Sequence, residues 1–230
     1  MSPSEIEVGT RDIRSVQQDI ESSLTKENAL IVRNPLSRHN LGIGLSTGAN
    51  VRFAGSVGYY CGGLNNGAHI RIDQDAGWGT GEGMASGEIR VGGYAGMSTG
   101  AAMRGGTIVV EGDAGPRTGV AMKGGQIIVL GHLGSQSGFM AHAGRIIALG
   151  GAGAACGDAL WQGEVWVNGS IESLGVDAVC REPNTTEIRE VEQILVTMGI
   201  SRGPYDWKKI VSGQRLWHFE SRDANAWLMI

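Results

Sequence analysis

Glycine returns every nineteen residues between Gly55 and Gly169, and no insertion breaks the register across six copies. One series runs Gly58, Gly77, Gly96, Gly115, Gly134 and Gly153, and a second runs Gly62, Gly81, Gly100, Gly119, Gly138 and Gly157. Two further series, Gly93 to Gly169 and Gly87 to Gly163, keep the same spacing. Of the 39 glycines, 31 fall in this stretch, so glycine reports an architecture here and not a flexible linker. A fixed period near twenty marks one supersecondary unit stacked on copies of itself.

Apolar residues keep the same period. Ile70, Ile89, Ile108, Ile127, Ile146 and Val165 share one slot, and Ile72, Val91, Val110, Val129, Ala148 and Val167 share the slot two residues on. Slots two apart lie on one face of a strand, because strand side chains alternate. A third slot holds Met84, Met103, Met122, Ala141 and Leu160. The unit is too short for a helix pair and lacks a leucine–asparagine signature. The expected fold is mainly β: a right-handed parallel β-helix of 19-residue coils, with short α-helical N- and C-terminal extensions. Equivalent residues then stack about 4.8 Å apart.

The extensions divide the chain into 1–50, an N-terminal extension and cap; 51–178, the β-helix; and 179–230, a C-terminal helix and aromatic tail. Ile6 and Val8 suit a short strand. Ile13, Val16, Ile20 and Leu24 are spaced for one helix face, with Thr10 as the expected cap and Asp12 in the first turn. Leu30 to Arg33 reads as a strand stopped by Pro35, and residues 42–54 as an irregular first coil. Asn184-Thr185-Thr186-Glu187 forms a capping-box sequence ahead of the stripe Ile188, Val191, Ile194, Leu195 and Met198, with Gly199 at the helix end.

The outward slots change character along the rod. One reads Arg71, Arg90, Val109, Ile128, Ile147, Trp166, and the next reads Asp73, Gly92, Glu111, Leu130, Leu149, Asn168. The late apolar patch must be covered, and the 186–198 helix is the favoured cover. Residues 51–170 carry only fifteen charged side chains, few for a solvated rod, which points to further cover by other protein. The candidate partner-interface residues are Arg104, Lys123 and His142, which stack on consecutive coils, and the tail aromatics Trp207, Trp217 and Trp227. The plain alternative for the basic strip is a solvated edge, and for the aromatics a filled coil end.

Net charge is −4, with 19 basic and 23 acidic residues and no Lys/Arg cluster, which argues against a nucleic-acid partner. No apolar run has membrane-spanning length, and Met1 to Asp12 lacks a signal-peptide core, so the expected location is the cytoplasm. Gly77-Trp78-Gly79-Thr80-Gly81-Glu82-Gly83 has the glycine density of a phosphate loop but sits inside the repeat with no helix after it. Cys61 and Cys156 share a slot with Thr80, Thr99, Thr118 and Ser137, five coils or roughly 24 Å apart, too far to bridge or to share a metal. Asp75 and Asp113 share another slot, two coils apart. No catalytic, cofactor-binding or metal-binding residue is expected on this chain.

The coil motif, as in Gly112-Asp113-Ala114-Gly115-Pro116-Arg117-Thr118-Gly119, resembles the GXGXG β-helix domain at the C-terminus of the glutamate synthase large chain. That domain also occurs as one of the chains of formylmethanofuran dehydrogenase. Arg38-His39-Asn40-Leu41, Gly58-Tyr59-Tyr60-Cys61-Gly62 and Ser173-Leu174-Gly175-Val176-Asp177-Ala178 resemble the free-standing glutamate-synthase-like subunits, a family that includes the β-helix chain of methylamine–glutamate N-methyltransferase (N-methylglutamate synthase). The resemblance covers about residues 5–200.

What it implies is a non-catalytic scaffold. A class II amidotransferase-like subunit and an FMN/iron–sulfur glutamate-synthase-like subunit are the implied partners, with the FMN and iron–sulfur cluster on a partner. This chain begins Met1-Ser2, without the amidotransferase's N-terminal Cys. The implied reaction of the assembly converts methylamine and glutamate to N-methylglutamate and ammonia. The alternative is the β-helix chain of a formylmethanofuran dehydrogenase/formyltransferase complex. A third possibility, a self-sufficient carbohydrate-active or binding β-helix, lacks the acidic cluster such an enzyme needs.

Overall fold

The computed structural model describes residues 3–201 and 203–216. Thirteen elements follow in chain order: β1 (Ser4–Glu7), α1 (Ile13–Leu24), β2 (Ala29–Arg33), β3 (Asn50–Ala54), β4 (Asn66–Ile72), β5 (Ser86–Val91), β6 (Thr107–Val110), β7 (Lys123–Val129), β8 (Ala143–Ala148), β9 (Glu164–Asn168), β10 (Ala178–Arg181), α2 (Thr185–Thr197) and β11 (Trp207–Ser212). The strands form one 11-stranded sheet in the order β1 to β9, then β11 and β10. All pairs from β1 to β9 are parallel, and the fold is a parallel β-helix.

The nineteen-residue period appears directly as register. Ile70 pairs with Ile89, Ile89 with Ile108, Ile108 with Ile127, and Ile127 with Ile146. A second parallel ladder of single bridges runs Val57, Ala76, Ala95, Ala114, Leu133, Ala152, Ile171 on another side of the coil. Both predicted apolar slots and the Met84–Met103–Met122 slot are buried. At about 1.5–3 kcal/mol for each large aliphatic side chain taken from water, this inner column is the main stabilising term.

The glycines divide by cause. Gly62 sits at φ +66°, and a Cβ there would lie 2.7 Å from Ile89 Cδ1 of the next coil. Gly77 has no such dihedral, but a Cβ would meet the Gly58 carbonyl carbon at 2.6 Å. One series therefore serves conformation and core packing, the other close approach of coils.

The ends are closed by non-repeating chain. β2 pairs Ala29 with Asn50, a step two residues longer than the Asn50–His69 step that follows, so the irregularity expected at 42–54 is a longer loop between regular strands. α1 buries Val16 and Ile20 in the same core as the coils. Its N-cap is Asp12, whose side chain accepts from Ser15 N, and not Thr10 as predicted. The reason is that the helix begins at Ile13, which puts Asp12 at the position that reaches the third helical N–H. At the other end β11 runs antiparallel between β9 and β10.

Candidate functional site

The late outward patch is sealed by the chain itself. Val109, Ile128, Ile147 and Trp166 form one buried cluster with Val191 and Leu195 of α2 and Trp207 of β11. Leu130, Leu149, Ile188, Ile194 and Met198 are partly buried around it. Asn184 caps α2 with a full capping box, its side chain accepting from Thr186 and Glu187 N–H while Glu187 accepts from Asn184 N–H. At the other end Arg90 donates to Met198 O at 2.8 Å, placing a cation at the negative end of the helix.

A second fastener is ionic. Lys209 is only 5% exposed and bonds both Glu187, at 2.9 Å, and Glu164. Glu164 also accepts from Arg145 Nε and Trp166 Nε1, each at 3.1 Å. Burial pushes the Glu164 carboxyl up, but the hydrogen bonds from Lys209 and Trp166 outweigh it and hold the group below its ordinary value. The Arg181 hydrogen bond, then the Asn184 N–H and Lys209, hold Glu187 far below the carboxylate range.

This arrangement corrects the candidate partner-interface assignment of Trp207 and matches the alternative in which the tail aromatics fill the coil end. Trp207 is 3% exposed and stands edge-on to Trp166, with ring centroids 6.1 Å apart. Insertion of β11 beside β9 turns its ring under α2. Trp217 and Trp227 lie outside the described residues.

Arg104, Lys123 and His142 are exposed. Their backbone N–H groups donate to Met84, Met103 and Met122 O respectively, so they occupy one slot on successive coils, as predicted from spacing. Among the described residues none of the three side chains makes an ion pair. The basic column on the first coils behaves otherwise. Arg52, Arg71 and Arg90 also stack, but Arg52 pairs with Asp73, Arg71 with Glu111, and Arg90 with Glu88 and Glu111. This neutralised column lines a groove of about 390 Å³ on the open outer face of the early coils, together with His69 and Asn50.

An aromatic column escaped the reading by spacing. His39 stacks on Tyr59, centroids 4.3 Å apart, and Tyr59 on Trp78 at 5.0 Å. His39 Nδ1 accepts from Tyr59 N, which fixes the imidazole in the stack. Tyr59 and Trp78 are 43% and 50% exposed, and Tyr60, Leu64 and Tyr94 are exposed nearby in the same run of coils. The signal was present, since Tyr59 and Trp78 are nineteen residues apart; His39 is off the period and was not legible that way.

The small-residue slot is internal. Thr80, Thr99, Thr118 and Ser137 are fully buried, and each hydroxyl donates to the carbonyl three residues earlier. Cys61 and Cys156 end this ladder, and burial pushes both thiols up, Cys156 to about 12. These thiols are inert packing. Asp75 and Asp113 each accept a backbone N–H from the next coil, from Tyr94 and His132, both at 2.7 Å. Among the described residues, no three His, Cys, Asp or Glu side chains converge as metal ligands. Nor is any described helix long and apolar enough to cross a membrane. Exposed among the described residues are an aromatic column, a groove lined by paired arginines and a basic strip without ion pairs.

No family model matches the chain, and no curated protein matches it in sequence. In structure it is similar to a chain of the formyltransferase/hydrolase complex FhcABCD from Methylorubrum extorquens, solved in complex with methylofuran. The TM-score is 0.54 at 22% identity, over 76% of this chain and 68% of that one. That likeness is one of fold.

Proposed function

We propose that this chain is a non-catalytic scaffold within a multi-subunit group-transfer assembly. The observation that carries the reading is the exposed aromatic column His39–Tyr59–Trp78, flanked by Tyr60, Leu64 and Tyr94, on a rod already closed by its own helices. Exposed stacked aromatics are suited to a protein interface, where Tyr and Trp are enriched.

Two assemblies are supported by different observations. The fold likeness to a chain of a formyltransferase/hydrolase complex supports a place in a formyl-transferring complex. The stretches 38–41, 58–62 and 173–178 support a glutamate-synthase-like assembly of the N-methylglutamate synthase type. Its amidotransferase-like subunit and its FMN/iron–sulfur subunit would carry the chemistry. In either case the group being transferred is handled by partner subunits, and this chain orients them.

The test is isolation of the chain at native abundance with whatever binds it. A formyltransferase or a molybdenum or tungsten protein in the isolate supports the first assembly. A flavin- and iron–sulfur-containing chain with an amidotransferase-like chain supports the second. Isolation of the chain alone, or turnover of methylamine or a formyl donor by the purified chain, overturns the scaffold reading.

A further inference from the structure

The two ends of the rod are closed unequally. At the start, α1 buries Val16 and Ile20 in the core of the coils. The first strand, β1, has its Ser4 N–H taken up by the Glu27 carboxylate at 3.2 Å and its Glu7 carbonyl by Arg11 at 3.0 Å. At the finish, the ladder of single bridges stops at Ile171, and β10 is the last strand of the sheet, paired with β11 alone. Leu174, Val176 and Val179, on this last turn and on β10, are 38%, 66% and 43% exposed. An edge strand beside exposed apolar side chains is a template for pairing with other chains, and solenoids need their ends capped.

The chain itself is delivered to that end. Gly213 N–H donates to Asp177 O, and the Asp177 carboxylate accepts from the N–H groups of Arg215, at 3.0 Å, and Leu216, at 3.2 Å. Asp177 stands between Val176 and the start of β10, so this clamp turns the chain after β11 back onto the final coil. Leu216, 53% exposed, adds a fourth apolar side chain there. Residues 217–230 follow, outside the described residues, and include Trp217, Phe219, Trp227, Leu228, Met229 and Ile230. At about 3.3 Å per residue they reach roughly 45 Å, ample for the short β10 and the turn before it. Tethering at Leu216 gives such a segment an effective concentration on the order of millimolar, which a second copy or a partner must outcompete.

We propose that residues 217–230 cover the open end of the rod, laying their aromatic and aliphatic side chains over Leu174, Val176 and Val179. The cover closes this end to other copies, so rods do not stack end to end, whichever assembly they join.

The native thiols supply the probe. Cys61 and Cys156 are buried, and Cys180 of β10 is left exposed by the described residues. Maleimide labelling of Cys180 is timed in three chains: the full chain, a chain ending at Leu216, and a full chain carrying Trp217→Ser, Phe219→Ser and Trp227→Ser. Both altered chains should label at least about tenfold faster than the full chain, with faster amide exchange over 171–181. Both should keep the parent's circular dichroism, since every described element is retained. In sedimentation velocity the shortened chain should self-associate, and Val176→Asp should suppress that association. If the shortened chain does not fold, the serine variant decides alone.

Equal labelling and equal exchange in the three chains overturn the proposal. So does a full-length dimer that Val176→Asp dissociates, which would assign the end to a second copy. Shielding of Cys180 that is present in the native assembly and absent from the purified chain overturns it as well, by assigning the end to a partner.

Discussion

Two halves of one sheet face solve the same problem in opposite ways. A single outward slot runs Arg52, Arg71, Arg90, Val109, Ile128, Ile147, Trp166 across consecutive strands. In the early coils it holds arginines, each paired to a carboxylate and partly in water. In the late coils it holds apolar side chains, all fully buried under α2 and β11. The change falls at Arg90, which pairs with Glu88 and Glu111 on the sheet and also closes the C-terminal end of α2. A repeat can therefore keep its backbone register unbroken while side-chain identity at one slot decides where cover begins. How much of this face stays open is set by where the helix stops.

The sharpest way to break this contrast is Ile128→Asp. If the slot is buried under α2, the variant places an unpaired carboxylate in an apolar cluster and should cost about 3–5 kcal/mol in urea unfolding. A cost below about 1 kcal/mol would mean the late face is as wet as the early one.

Lys209→Ala comes next. It strands Glu164 and Glu187 without their shared cation, and loss of about 3 kcal/mol is expected from breaking a buried pair. The same network gives a pH dependence with a defined sign. Both carboxyls are held below their ordinary value of 4.5, so their contribution is fully present above it and is lost as pH falls through the lowered values. Urea midpoints should drop on acidification below about pH 4.5, and Lys209→Ala should flatten that drop. An unchanged slope in the variant would show that the network does not set the acid sensitivity.

The smallest effects belong to the open half. Arg90→Ala removes a helix-end hydrogen bond and should cost about 1 kcal/mol. Arg52→Ala breaks only a water-exposed pair with Asp73 and should cost about 0.5 kcal/mol. If Arg52 proves the costlier of the two, the boundary does not lie at Arg90.

Much of this contrast was legible in the sequence, because repetition turns spacing into position. Ile70 and Ile72 face inward and Val109 and Ile128 outward by parity alone, and the 186–198 stripe matched the apolar patch in chemistry and place. What escaped was non-repeating or depended on long-range pairing. Lys209 carries no local sign that it will meet Glu164 and Glu187. Spacing left Trp207 open between core filling and a partner interface, because nothing nearby announces that β11 inserts antiparallel beside β9. Asp12 and Thr10 are both competent caps, and only the helix start chooses between them. The stretches at 38–41 and 173–178 contain structural fasteners. Arg38 donates to the Gly9 and Arg11 carbonyls, and the Asp177 carboxylate accepts from the Arg215 and Leu216 N–H groups. The basic strip was found by spacing.

The central claim is that the chain's own C-terminal helix, and not a partner, covers the late outward face. Sedimentation velocity of a chain lacking residues 184–230 tests it most directly. The predicted result is concentration-dependent self-association of a rod that retains its β-sheet circular dichroism, because Val109, Ile128, Ile147 and Trp166 are then exposed together. A monodisperse, folded monomer would contradict it.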